Sequence, residues 1–175
     1  MLTTLVMTVI GPDRTGLVDS LARTVADQGG NWLESRMCHL GGQFAGLIQV
    51  EIDPAQALSL REHLTLLSES GLQVSIQDGG DATPASQSLV MIDLVGQDRP
   101  GLLRAITAVL AQHNLNIEEL DSERSAAPQG GGTLFKANVT ISVPANADLD
   151  TIGDDLEQIA ADLLVDISLV PGPSA

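Results

Sequence analysis

The 175-residue sequence predicts an α+β chain built from two copies of one β-α-β-β-α-β module, each a four-stranded antiparallel sheet with two helices on one face. Three features predict it. The segment Gly11-Pro12-Asp13-Arg14-Thr15-Gly16-Leu17 returns 85 positions later as Gly96-Gln97-Asp98-Arg99-Pro100-Gly101-Leu102, with five of seven residues identical. At the same offset Leu5, Met7, Val9, Leu21 and Val25 fall on Val90, Ile92, Leu94, Ile106 and Leu110, and Asn31 and Glu34 on Asn116 and Glu119. Each copy then passes through the same succession of two-residue and three-to-four-residue apolar periods.

The elements follow in order. Thr4 to Ile10 and Leu89 to Val95 are β-rich and mostly apolar, as strands covered on one face should be. Leu17, Leu21 and Val25, and their equivalents Leu102, Ile106 and Leu110, recur every four residues and predict helices with one buried stripe. Asp13 and Asp98 are read as their N-caps. Strands near Trp32 to His39 and Phe44 to Ile52, and near Ile117 to Ser122 and Leu134 to Val143, form hairpins through Gly-Gly-containing turns. From Phe44 and Phe135 onward the offset is 91, and the stretch Ser122 to Gly132 holds the six additional residues as a loop. Second helices run from about Pro54 to Ser68 and from Leu149 to Leu163. Leu72, Val74 and Ile76, and Val165, Ile167 and Leu169, alternate as closing strands. This is the ferredoxin-like arrangement, with a first module at 1–79, a polar linker rich in turn formers at 80–87, and a second module at 88–175.

Composition narrows the function. A formal charge of −15, shared as −5 before residue 81 and −10 from there on, repels a phosphate backbone, and two Phe, one Trp and no Tyr leave little on which bases can stack. Direct nucleic-acid binding is therefore not expected. The single Cys38 excludes an intramolecular disulfide, supplies too little sulfur for a typical structural zinc site, and fits a reducing, cytoplasmic compartment. The apolar start lacks a basic flank and a cleavage site and reads as a first strand, and no apolar run approaches a membrane span. No membrane association, metal or cofactor is expected.

The duplicated loop is the candidate site. Gly16 and Gly101 fall in the first turn of a helix, where glycine costs about 1 kcal/mol against alanine. A close approach of ligand or neighbouring backbone would offset that cost, since a helix start without Cβ opens its N–H groups to an anion such as a carboxylate. Arg14 and Arg99 add a charge-assisted contact or tie down the loop. The alternative is that Asp-Arg-X-Gly is only a tight strand-to-helix turn. Asn31 and Asn116, at the hairpin entry, can donate and accept, which suits both ends of an amino acid, although Asn is equally a turn and helix-capping residue. Glu34 and Glu119 read as strand-surface charges.

The motif G-x-D-R-x-G-L between strand and helix, followed by Asn before a hairpin, twice over, resembles tandem ACT domains across about 1–77 and 88–170. In its two-copy form the chain is similar to transcriptional regulators of glycine cleavage. The resemblance implies a non-catalytic protein that binds a small amino acid, glycine or similar, at paired ACT interfaces and acts through a DNA-binding regulator. It implies ligand sites lined or shaped by Asp13, Arg14, Gly16, Leu17 and Asn31, and by Asp98, Arg99, Gly101, Leu102 and Asn116. Pro12 gives way to Gln97 and Thr15 to Pro100, so the two sites need not be equivalent. Exposed edge strands predict a homo-oligomer, and a dimerisation scaffold or the regulatory subunit of a metabolic enzyme is the alternative role.

No catalytic residues are assigned. His39, His63 and His113 are scattered, with no repeat counterpart. Cys38 and His39 are adjacent on a strand and face opposite ways, so they cannot pair as nucleophile and base. Asp154, Asp155 and Glu157 read as a solvated helix face. Phosphate-loop and dinucleotide fingerprints are missing. The opening also resembles the regulatory module of formyltetrahydrofolate deformylases, but the chain ends before a catalytic domain could follow.

Overall fold

The protein is described by a computed structural model covering residues 1–80, 87–128 and 131–171. It divides into two compact units, Met1–Ala82 and Thr83–Ala175. The first contains β1 (Thr3–Pro12), α1 (Leu17–Asp27), β2 (Asn31–Leu40), β3 (Gln43–Ile52), α2 (Pro54–Leu66), a 3-10 turn (Leu67–Ser70) and β4 (Gln73–Asp78). The second contains β5 (Gln87–Gln97), α3 (Leu102–Gln112), β6 (Asn116–Ala126), β7 (Thr133–Pro144), α4 (Leu149–Leu163) and β8 (Val165–Pro171). Strand orders β2-β3-β1-β4 and β6-β7-β5-β8 are the same order in successive copies, antiparallel throughout. The expected α+β class and ferredoxin-like modules are what the chain forms. Most of the linker expected at 80–87 lies outside the described residues.

Alternation of side chains decides which face each strand covers. In the first unit Leu5, Met7 and Val9 of β1 and Ile48, Val50 and Ile52 of β3 are buried beneath Leu17, Leu21 and Val25 of α1 and Leu60 and Leu64 of α2. In the second, Ile92, Leu94, Val139, Ile141 and Val143 meet Leu102, Ile106 and Leu110 of α3 and Ile152 and Leu156 of α4. Each core is the aliphatic layer that the repeat registers predict. Both hairpin strands carry a bulge at the equivalent place, between Trp32 and Glu34 and between Ile117 and Glu119.

Three details depart from the sequence reading. The second hairpin does not open into a loop at Ser122: β6 stays paired with β7 as far as Ala126, because its residues continue the ladder Asp121 with Asn138, Glu123 with Lys136 and Ser125 with Leu134. The inserted residues therefore form a turn after 126 in place of Gly41-Gly42, with 129–130 outside the described residues. The first unit's second helix stops at Leu66 and tightens into the 3-10 turn, which ends on left-handed Gly71. Finally, Asp13 and Asp98 do not cap the helices that follow them: the N-cap positions are Gly16 and Gly101, and neither helix has a side-chain cap.

Candidate functional site

Gly16 and Gly101 each stand one residue ahead of the helix, with φ of 90° and 95°. This left-handed turn swings the chain from the end of the strand onto the helix axis, and a side chain there would be strained. Nothing lies within 4 Å of the position a Cβ would occupy at either residue. The glycine requirement is therefore backbone conformation and not a close neighbour, and the main chain is open on the side that a Cβ would cover. The same helices lack any side-chain cap, so their first N–H groups keep free donor capacity. By contrast α2 and α4 are capped by Asp53 and Asp148, which accept from Ala55 and from Asp150 and Thr151. One chain thus satisfies the donors at two helix starts and leaves them open at the two duplicated loops, where the partial positive charge favours an anion.

What would have been the caps is drawn sideways instead. The Asp13 carboxylate faces the His39 imidazole at 3.6 Å, and Asp98 pairs with Arg124 at 2.6 Å. Residues 39 and 124 are 85 apart, so His39 has a positional counterpart after all, of different chemistry. The Asp13 N–H donates to the Gly42 carbonyl and the Asp98 N–H to that of Thr133, at 3.0 and 2.8 Å. Each loop is thereby fastened to its own hairpin by a main-chain bond, and the second loop also by the Asp98–Arg124 ion pair. The spacing of 85 was visible in the sequence; that a basic group on the hairpin reaches the loop was not, because it depends on the antiparallel fold-back.

The remaining predicted residues lie as follows. Arg14 is exposed, and Arg99 directs an Nη2 towards the Asp162 carbonyl at 3.5 Å. Leu17 and Leu102 are buried in the cores and shape the loops from beneath. Asn31 and Asn116 open β2 and β6. Their rows, Asn31 with Glu51 and Thr4 and Asn116 with Ser142 and Leu89, lie at the opposite end of the sheet from the loops. Along β1 the separation is eight residues, about 26 Å at the usual strand rise. Within one module the structure does not bring the asparagine to the glycine loop. Asn116 Nδ2 instead donates to Glu118 at 2.8 Å, and the same carboxylate oxygen accepts from Ser142 at 2.6 Å. The first unit has Leu33 and Glu51 at those places, so the two asparagines differ in surroundings.

Grooves also lie on the open faces of the sheets, two of them over the middle of the strands. One runs over Val6, Arg36 and Leu47; the other, of about 650 Å³, is bordered by Asp93, Asp121, Glu123 and Lys136. Among the described residues no three His, Cys, Asp or Glu side chains converge as a metal site, and no helix is long and apolar enough to cross a membrane. Cys38 is exposed on the open face while His39 sits on the helix side. His63 Nδ1 contacts the Ser59 carbonyl at 2.8 Å, and His113 pairs with Asp155 at 2.8 Å, which makes Asp155 a partner of α3 and not merely a wet charge.

Comparison with known proteins matches ACT domain models to residues 3–77 and again to 85–161. The chain is 28% identical over 162 residues, 91% of its length and 85% of theirs, to the glycine cleavage system transcriptional repressors of Escherichia coli K12 and Shigella flexneri. A solved structure of an unknown protein from Galdieria sulphuraria is 29% identical, covers 99% of this chain and 100% of its own, and superposes with a TM-score of 0.84.

Proposed function

Because the chain belongs to the ACT-domain family, with one such domain in each half, we propose that it is a non-catalytic, amino-acid-sensing regulatory protein whose effector carboxylate docks on the glycine loops. The observation that carries this reading is the pair of uncapped helix starts at Gly16 and Gly101, in a chain whose other two helices are capped by aspartate. Asp13, Arg14, Gly16 and Leu17, with Asp98, Arg99, Gly101 and Leu102, form or shape the two loops. Asn31 and Asn116 complete a site only when another module or a second copy brings one of them to a loop, so homo-oligomer formation is part of the proposal. The relatives named as glycine cleavage repressors support glycine or a similar small amino acid as effector, and transcriptional control in the cytoplasm as the outcome. A net charge of −15 supports an indirect route, through a DNA-binding partner protein.

Calorimetry with a panel of small amino acids tests it. Saturable heat with glycine or serine is expected, weakened about ten- to a hundredfold in Arg14→Ala or Arg99→Ala, the range for losing a charge-assisted hydrogen bond. Silence across the panel would favour the scaffold reading, in which the edge strands serve pairing alone. Co-purification of a helix-turn-helix regulator that depends on the effector would support the partner, and recovery of a metabolic enzyme would replace it.

A further inference from the structure

The two loop fastenings occupy the same place in the two sheets and differ in one chemical property. His39 pairs in register with Phe44, which pairs with Gly11; Arg124 pairs with Phe135, which pairs with Gly96. From these equivalent positions each basic side chain meets the motif aspartate two residues beyond that glycine. An imidazole changes its charge between about pH 5 and 8, whereas a guanidinium stays charged throughout.

We propose that His39 and Arg124 are positioning residues of the two glycine loops, a proton-dependent latch in the first module and a permanent one in the second. With His39 protonated, the ion pair to Asp13 reinforces the Asp13 N–H to Gly42 bond and holds the loop that presents Gly16; as the pH rises and the imidazole loses its charge, only the main-chain bond is left. Asp19 and Arg23 of α1, the helix packed on β2, bind each other at 3.0 Å, and Glu34 and Arg36 of β2 line the groove on the opposite face of the sheet. Across the ladder from His39 stands the uncharged Phe44. Arg14, the neighbour of Asp13 on the loop, is exposed and carries its charge at every relevant pH. The second latch is also the tighter one, since the Asp98 side chain is 23% exposed against 45% for Asp13.

Amide NMR of the full chain between pH 5 and 8 tests the latch without any ligand. The Gly16 and Arg14 amides are expected to follow the His39 ring titration, to lose that dependence in His39→Gln and to stay at their low-pH positions in His39→Arg. The Gly101 amide is expected to remain flat until Arg124→His transfers the dependence to it. Gly16 amides that ignore the His39 titration, or that move equally in His39→Gln, overturn the proposal. A second arm rests on the effector reading above: with the second site weakened by Arg99→Ala, glycine or serine should bind about two- to fivefold more tightly at the acid end, the range set by an exposed ion pair, and His39→Arg should abolish the difference. An amino-acid panel without heat at any pH sinks the effector reading, and the amide titrations then decide the latch alone; binding that is pH-independent in Arg99→Ala counts against the latch.

Discussion

Gly16 and Gly101 are held in a left-handed conformation with open space where a side chain would begin, so their cost on substitution comes from the backbone alone. Gly16→Ala and Gly101→Ala should each lose about 1–2 kcal/mol in urea denaturation, and Gly16→Asn should lose less, since Asn tolerates this region better than other side chains. Asp148 gives a second test at this scale. Its carboxyl is held below the ordinary aspartate value chiefly by the Thr151 hydroxyl, then by the Thr151 N–H, while burial opposes the shift. A carboxylate whose folded value is depressed contributes stability above its unfolded value and loses it as the pH falls through the folded one. Asp148→Ala should therefore lower the melting temperature at neutral pH, and the gap from wild type should close as the pH drops below the ordinary carboxylate range. The loops' four key polar residues were legible from their recurrence. His39 and Arg124 were not, because nothing near residue 39 or 124 in sequence names a partner across the fold.

Between elements, the first glycine of the motif has a role distinct from the second. A Cβ on Gly11 would stand 2.7 Å from the Gly71 carbonyl oxygen, and one on Gly96 would overlap the Val165 side chain. This glycine lets the end of the central strand lie against the start of the closing strand, which is what brings the loop to the edge of the core. Gly96→Ala should cost about 1–3 kcal/mol as overpacking. Val165→Ala in the same chain should recover part of it, so that a double-mutant cycle gives a favourable coupling above about 0.5 kcal/mol. Additive losses would mean that the strand accommodates the methyl group by moving. The hairpins show where sequence reading stops short at this scale: the ladder beyond Ser122 is held by pairing with β7, and the polar Ser-Glu-Arg-Ser run carries no alternation strong enough to announce it.

For the whole molecule, the two units repeat one topology while their charge differs, −6 for residues 1–82 against −9 for 83–175. Both carry a net negative charge, which repels a phosphate backbone, so the purified chain should fail to retard duplex DNA in gel-shift assays at physiological salt, and a retarded complex should form only with a partner protein present. Retardation by the chain alone would remove the indirect route. Recurrence at a constant offset, together with apolar periodicity, was enough to determine two modules, their element order and their aliphatic cores, because secondary-structure period and burial are written in nearest neighbours along the chain. Only the tertiary structure decided that the motif aspartates face the hairpin and leave their helices uncapped, and that Asn31 and Asn116 stand at the far end of the sheet from the loops they follow in sequence. Those facts depend on strand direction and register, which bring together residues far apart in sequence and separate residues that sequence places close.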